Sequence, residues 1–287
     1  MNSKIFLIIG TTDGMGKATA MAVAKQGHTV VIHGRNVAKA QAVRKDIVAE
    51  TGNNNIDILI ADMVSLDEVK RMANEFKQKY DRLDVLINNA GAGFGRQRET
   101  TKEGWEKTIV VNLFAPFLLT ELLLDVLAKS DSARIVNVTS KSSVSLKPDL
   151  SDFHSEKKYN NLTTYGLTKL YKTWATLYLA TELKKKGIEN VTANLVHPGA
   201  IASSPSVRNA DFGFFINIMV KLAFPFMPKA EKGAETIIYL ATSPEIENVS
   251  GKYFINKKIG NDNNKHHTPE NEKIVWDYCM KIVKPYL

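Results

Sequence analysis

Cysteine is almost missing from this chain: Cys279 is the single one in 287 residues. That excludes an intramolecular disulfide framework and a cysteine-rich metal site, and the expectation is a reducing, cytoplasmic setting with no metal. Long apolar runs are scarce as well. Ile5–Ile9 is too short for a secretory signal and leads into a glycine-rich turn, so it reads as a first strand. The run from Phe212 to Met227 is broken by Lys221 and Pro225 and falls short of the ~20 residues of a spanning helix. No transmembrane span is expected, and that run is left as a buried helix, a lid over an apolar pocket or a patch in weak contact with a membrane surface. Low-complexity linkers and repeats are absent, which argues against several domains. Acidic charge is in deficit, with a net charge of +8, but the lysines are scattered. The pattern is a solvated basic surface able to attract an anionic cofactor, and no nucleic-acid partner is expected.

What the chain does have is rhythm. Short β-branched runs alternate with amphipathic stretches: 5–9 then 14–26, 29–33 then 37–50, 56–61 then 66–80, 83–88 then 101–128, 134–139 then 163–186, and 191–196. The alternation predicts an α/β fold, a single-domain Rossmann-type doubly wound parallel sheet of about seven strands with helices on both faces. Residues 1–260 are expected to form one domain with a substrate lid near 200–228, and 261–287 an extension packed on it. Ligands in such sheets sit outside the carboxyl ends of the strands.

The residues at those ends have a chemical pattern. Gly10, Thr12, Asp13, Gly14, Met15, Gly16 and Lys17 follow the first strand and open the first helix. Glycines there permit a tight turn and close approach of backbone to a pyrophosphate, which the helix N-terminus favours. Asp13 either weakens the preference for a phosphorylated ribose or caps the helix. At the end of the second strand stands Arg35, not the acid that would accept from a ribose hydroxyl. Its forked donors suit a 2′-phosphate, with Lys17 as a second cation, so NADP (as NADPH) is expected over NAD. Asp62 and Asn88-Asn89-Ala90-Gly91, at the ends of the third and fourth strands, fit the adenosine half. Tyr165 and Lys169, four apart in a helical segment, share a face, and the ammonium favours the phenolate of a tyrosine fit for acid-base work. Tyr253 and Lys257 repeat the spacing in a β context and serve as a decoy.

In this order, with Asn112, Ser140 and Pro198-Gly199 added, the motifs resemble the short-chain dehydrogenase/reductase superfamily, from about residue 4 to about residue 256. The stretches 111–120, 134–140, 155–159 and 196–199 look like its retinol-dehydrogenase-like branch. The resemblance implies that Tyr165 is the general acid, that Lys169 lowers its pKa and holds the nicotinamide ribose, and that Ser140 polarises the substrate oxygen. Thr139 and Ser142 rank below Ser140. Asn112 would support a water relay to the lysine; its competing role is to satisfy a helix bend. Pro198 and Gly199 would bracket the nicotinamide, with Ser203 or Ser204 as a cofactor-contacting hydroxyl.

The membrane-bound retinol enzymes carry an anchor before the first strand, and this chain starting at its strand is expected to be soluble. Relatives pair their two long helices across a two-fold axis, so the resemblance allows a homo-oligomer. The expected activity is NADP-dependent transfer of a hydride between the nicotinamide and the carbonyl or alcohol of an apolar small molecule. Its pocket would lie between Lys147, Phe153 and His154 and the aromatic run from Phe212 to Phe226. The alternatives are a catalytically silent dinucleotide-binding scaffold and a sugar-nucleotide epimerase.

Overall fold

The computed structural model describes residues 3–140, 145–199, 228–261 and 264–287. Ser142, Ser203, Ser204 and the expected lid and aromatic run up to residue 227 lie outside the described residues.

The chain order is β1 (Ile5–Ile9), α1 (Gly14–Lys25), β2 (Thr29–Gly34), α2 (Val37–Thr51), β3 (Ile56–Ile60), α3 (Leu66–Lys79), β4 (Val85–Asn88), α4 (Lys107–Leu127), β5 (Ala133–Val138), α5 (Asn161–Lys185), β6 (Val191–His197), α6 (Ala230–Thr242), β7 (Tyr253–Ile255), β8 (Lys258–Gly260) and α7 (Pro269–Val283). The helices start where capping side chains stand. Asp13, Asn36, Ser65, Asn160 and Thr268 each accept from a first-turn backbone N–H, worth about 1 kcal/mol apiece.

The strands form one sheet in the order β3-β2-β1-β4-β5-β6-β7-β8, parallel throughout except for the β7–β8 pair. Successive residues of a strand point to opposite faces, and β1 shows the result. Phe6 and Ile8 enter a core with α1, α2 and α6, while Leu7 and Ile9 enter one with α3, α4, α5 and α7. The eighth strand is the departure from the expected count. Asn256 and Lys257, at φ 49° and 63°, turn the chain back into a three-residue edge strand too short to show any periodicity.

Helix α4 starts at Lys107, later than the pattern suggested, because the Glu106 carboxylate caps it by accepting from Ile109 N at 2.9 Å. It contains a π-helical segment, Val110–Phe114. By length and composition it is the one helix among the described residues apolar enough to cross a membrane, but 78% of its apolar window is buried inside the protein, as in a core helix. Helix α7 lies over α4 and α5: the Trp276 ring sits 4.8 Å from Phe117 and 5.3 Å from Tyr178, and Val275, Cys279 and Val283 are buried beside it.

Candidate active site

The strand order reverses between β1 and β4, so their carboxyl ends diverge and leave a crevice. The glycine loop closes one side of it. A Cβ on Gly16 would lie 2.0 Å from Gly10 O, and one on Gly10, at φ 82°, 2.9 Å from Ala90 Cα; neither position can carry a side chain. Asn89 Nδ2 donates to Gly10 O at 2.9 Å and ties the ends of β1 and β4 together. Asp13 accepts from Gly14 N at 2.7 Å, so it serves as the helix cap. Thr12 packs its methyl under Gly34, where a Cβ would lie 2.4 Å from it, and Met15 packs on the core of α1 and α2.

One ring that the sequence reading passed over holds this end together. Buried His33 Nε2–H donates to Ala61 O at 3.0 Å, and its Nδ1 accepts from Gly10 N at 3.2 Å, linking the ends of β1, β2 and β3. Burial lowers its pKa to about 4, keeping the imidazole neutral as those two bonds require. The cue available in the sequence was a polar ring inside an otherwise apolar strand.

Arg35 is exposed beyond β2, and its guanidinium has no hydrogen bond or ion pair among the described residues. Lys17, expected as a second cation for the ribose phosphate, is engaged by Asp46 of α2 at 2.6 Å. Asp62 is also drawn into its own turn, its Oδ1 accepting from Val64 N at 3.0 Å.

The chemical half hangs on α5. Tyr165 and Lys169 are both buried on one face, with the Lys169 Nζ 5.5 Å from the centre of the phenol ring. The ammonium donates to Val138 O at 3.3 Å, at the carboxyl end of β5. Burial brings its pKa from 10.5 to about 8. Half-buried Ser140 follows two residues after that carbonyl. Thr139, the discounted neighbour, bonds Lys169 O and Thr173 Oγ1 at 3.1 and 2.9 Å and is absorbed by packing. Gly91 lies against the lysine, since a Cβ there would be 2.9 Å from Nζ.

Asn112 sits in the π segment, fully buried. Its Oδ1 accepts from Ala92 N, and its Nδ2 donates to Ala92 O and Thr168 Oγ1, at 2.9, 2.9 and 3.0 Å. It therefore staples the loop that follows Gly91 to the turn of α5 between Tyr165 and Lys169. Lys172, which sequence reasoning did not single out, is fully buried one turn beyond Lys169 and donates to Asn88 O at 3.0 Å. Burial first, and the Lys169 charge second, hold its pKa well below 10.5. Spacings of four and three from Tyr165 through Lys169 to Lys172 put all of them on one face, and that was the available signal.

Pro198 and Gly199, the latter at φ 89°, leave the end of β6 and line a cleft with Pro228, Lys232, Glu235 and Thr236. The decoy pair is separated: Tyr253 lies in β7, while Lys257 is in the hairpin turn and bonded to Glu235 at 3.2 Å. Phe153 and His154 also differ from their expected place in a substrate wall. Phe153 is buried and stacked on Tyr278 of α7 with rings 4.1 Å apart, and His154 Nε2 bonds the Tyr278 hydroxyl at 2.8 Å.

The crevice fits an extended dinucleotide on two structural grounds: a loop whose Gly10 and Gly16 have no room for a Cβ, backed by a helix N-terminus, and a buried amine beside a phenol at the far end.

Comparison with known proteins agrees with this geometry. The family model described as short chain dehydrogenase matches residues 4–211. Human polyprenol dehydrogenase is 34% identical over 277 residues, covering 94% of this chain and 81% of that protein. Human retinol dehydrogenase 14 is 36% identical over 268 residues, with 88% and 78% covered. A solved short-chain dehydrogenase from Shigella flexneri, complexed with NADP, aligns with a TM-score of 0.65 at 25% identity, covering 88% of this chain and 97% of that one.

Proposed function

Because the chain belongs to the short-chain dehydrogenase family, and is accordingly an NAD(P)-dependent oxidoreductase acting on an alcohol or carbonyl, we propose that it reduces or oxidises an apolar, isoprenoid- or retinoid-like small molecule with NADP. The observation that carries the reading is the buried Lys169 ammonium 5.5 Å from the Tyr165 ring. Bound between the glycine loop and Gly199, the cofactor would supply or take up the hydride.

The residues do the rest. Tyr165 gives its proton to the substrate oxygen in reduction and takes it back in oxidation, and the Lys169 charge stabilises the phenolate left behind. Ser140 donates to the same oxygen where negative charge develops. Lys169 would also hold the nicotinamide ribose, and Asn112 positions it by fixing Ala92 and Thr168. Gly10, Gly14 and Gly16 would cradle the pyrophosphate, and Pro198 and Gly199 would border the nicotinamide. Asn89 through Gly91 would border the adenosine, with the Asp62 carboxyl oxygen not bonded to Val64 N left to face it, and Arg35 would receive the 2′-phosphate.

The Tyr165 phenol set beside the Lys169 amine, with Ser140 two residues past the carbonyl that holds the amine, supports turnover over a silent scaffold. The NADP-complexed Shigella flexneri structure supports NADP, and the similarity to a polyprenol dehydrogenase and a retinol dehydrogenase supports an apolar alcohol or carbonyl substrate. The test is NADPH oxidation by the purified chain with aldehydes and ketones graded from sugars to long isoprenoids. The kcat/KM should rise with apolar length and favour NADPH over NADH. Equal rates across the series overturn the substrate class, and no oxidation with any carbonyl overturns the activity.

A further inference from the structure

We propose that Tyr278 of the C-terminal helix is a positioning residue for the proton donor, acting through His154, Ser155 and Thr164 on the first turn of α5. The inference rests on the reading of Tyr165 as that donor.

The connection is continuous. The His154 Nδ1 accepts from Glu106 N at 3.4 Å, so its other nitrogen carries the proton and donates to the Tyr278 hydroxyl at 2.8 Å. Burial disfavours the charged imidazole and keeps the ring neutral, while the Glu106 amide selects the tautomer. Arg98 Nε donates to His154 O at 2.9 Å and holds the same residue from the opposite side. The Tyr278 ring lies parallel to Phe153, at an interplanar angle of 7°, so two successive residues of the loop before α5 are held by one side chain of α7.

Next in the chain is Ser155, buried and at φ 51°, a left-handed conformation that a side-chain-bearing residue adopts only when its surroundings impose it. The hydroxyl that its backbone presents accepts from Thr164 Oγ1 at 3.0 Å, and both groups are buried. Thr164 immediately precedes Tyr165.

A helix start is the least restrained part of a helix, because its first amides have no partner within it. Asn160 caps this one by accepting from Thr163 N at 3.0 Å. The Ser155–Thr164 bond is a second anchor, and its geometry depends on the strained loop that Tyr278 clamps. Misplacing an acid by a fraction of an ångström is costly for proton transfer, so an anchor beside Tyr165 affects the chemical step more than substrate binding.

The test uses the full chain carrying Tyr278→Phe, which keeps the ring stack and removes only the bond to His154, with Ser155→Ala and the double variant alongside. Backbone hydrogen exchange over residues 160–170 should speed up about fivefold while β1 to α3 stay unchanged. NADPH turnover should lose about tenfold in kcat at unaltered KM, and the double variant should lose no more than either single change, because both break one path. Unchanged exchange over 160–170 overturns the link, whatever the activity. Faster exchange with a wild-type kcat, or losses that multiply in the double variant, overturns the positioning role. A wild type that oxidises no carbonyl overturns the functional reading instead, and the exchange measurement still decides the link.

Discussion

Replacing Lys169 by methionine should kill the enzyme and strengthen the fold. The ammonium is completely buried, and burial alone moves its pKa from 10.5 to about 8. At about 1.4 kcal/mol per pH unit, keeping it charged costs the native state ~3 kcal/mol. The variant also loses the bond to Val138 O, worth about 1 kcal/mol. Lys169→Met should therefore be more stable than wild type by ~2 kcal/mol at pH 7. The pH dependence follows from the native pKa lying below the unfolded one. Below about pH 8 both states are protonated and the cost is present in full. Between there and 10.5 the native state sheds its proton while the unfolded state keeps it, so wild-type stability rises and the advantage of the variant fades. Urea unfolding of the cofactor-free proteins at pH 7 and near pH 10 measures both quantities. A variant no more stable at pH 7, or a gain that persists undiminished at high pH, would refute the account of a desolvated, charged lysine.

Gly16→Ala places a Cβ 2.0 Å from Gly10 O and must deform the loop. Affinity for NADPH should drop at least about tenfold, seen as a reduced rise in melting temperature on adding cofactor. Arg35→Ala removes an exposed guanidinium with no partner among the described residues. It should leave stability unchanged and reduce the NADPH-over-NADH preference by about tenfold or more in kcat/KM, since a charge-assisted pair to a phosphate is worth roughly 1.5–3 kcal/mol. Trp276→Ala empties the contact of α7 with Phe117 and Tyr178 and should destabilise the protein by about 3 kcal/mol in denaturant titration.

The alternation of strand and helix was legible because each strand is a short apolar run feeding a capped helix, and the order of motifs along the chain located the crevice. The glycine loop and the Tyr165–Lys169 face could be read because they are local: a few residues and one helical turn specify each. Non-local partners could not. Lys17 looked available for a phosphate until the fold set Asp46 against it, and Asp62 looked wholly available to the adenosine until its own turn engaged one of its oxygens. Phe153 and His154 read as pocket wall because their true partner, Tyr278, lies more than a hundred residues away in sequence. A π segment leaves no periodic trace in five apolar and amide residues, so the staple made by Asn112 emerged only from the structure. Lys172 was missed because a lysine on a helix ordinarily reads as solvated, and only its register with Tyr165 and Lys169 pointed inward.

The central claim, that Tyr165 exchanges the proton while the cofactor exchanges the hydride, is tested most directly by Tyr165→Phe studied for binding and turnover together. Wild type and variant should show the same rise in melting temperature with NADPH, and only the wild type should oxidise it in the presence of an apolar aldehyde, the variant retaining less than about one hundredth of the rate. A variant that binds NADPH and turns over at the wild-type rate would contradict the account.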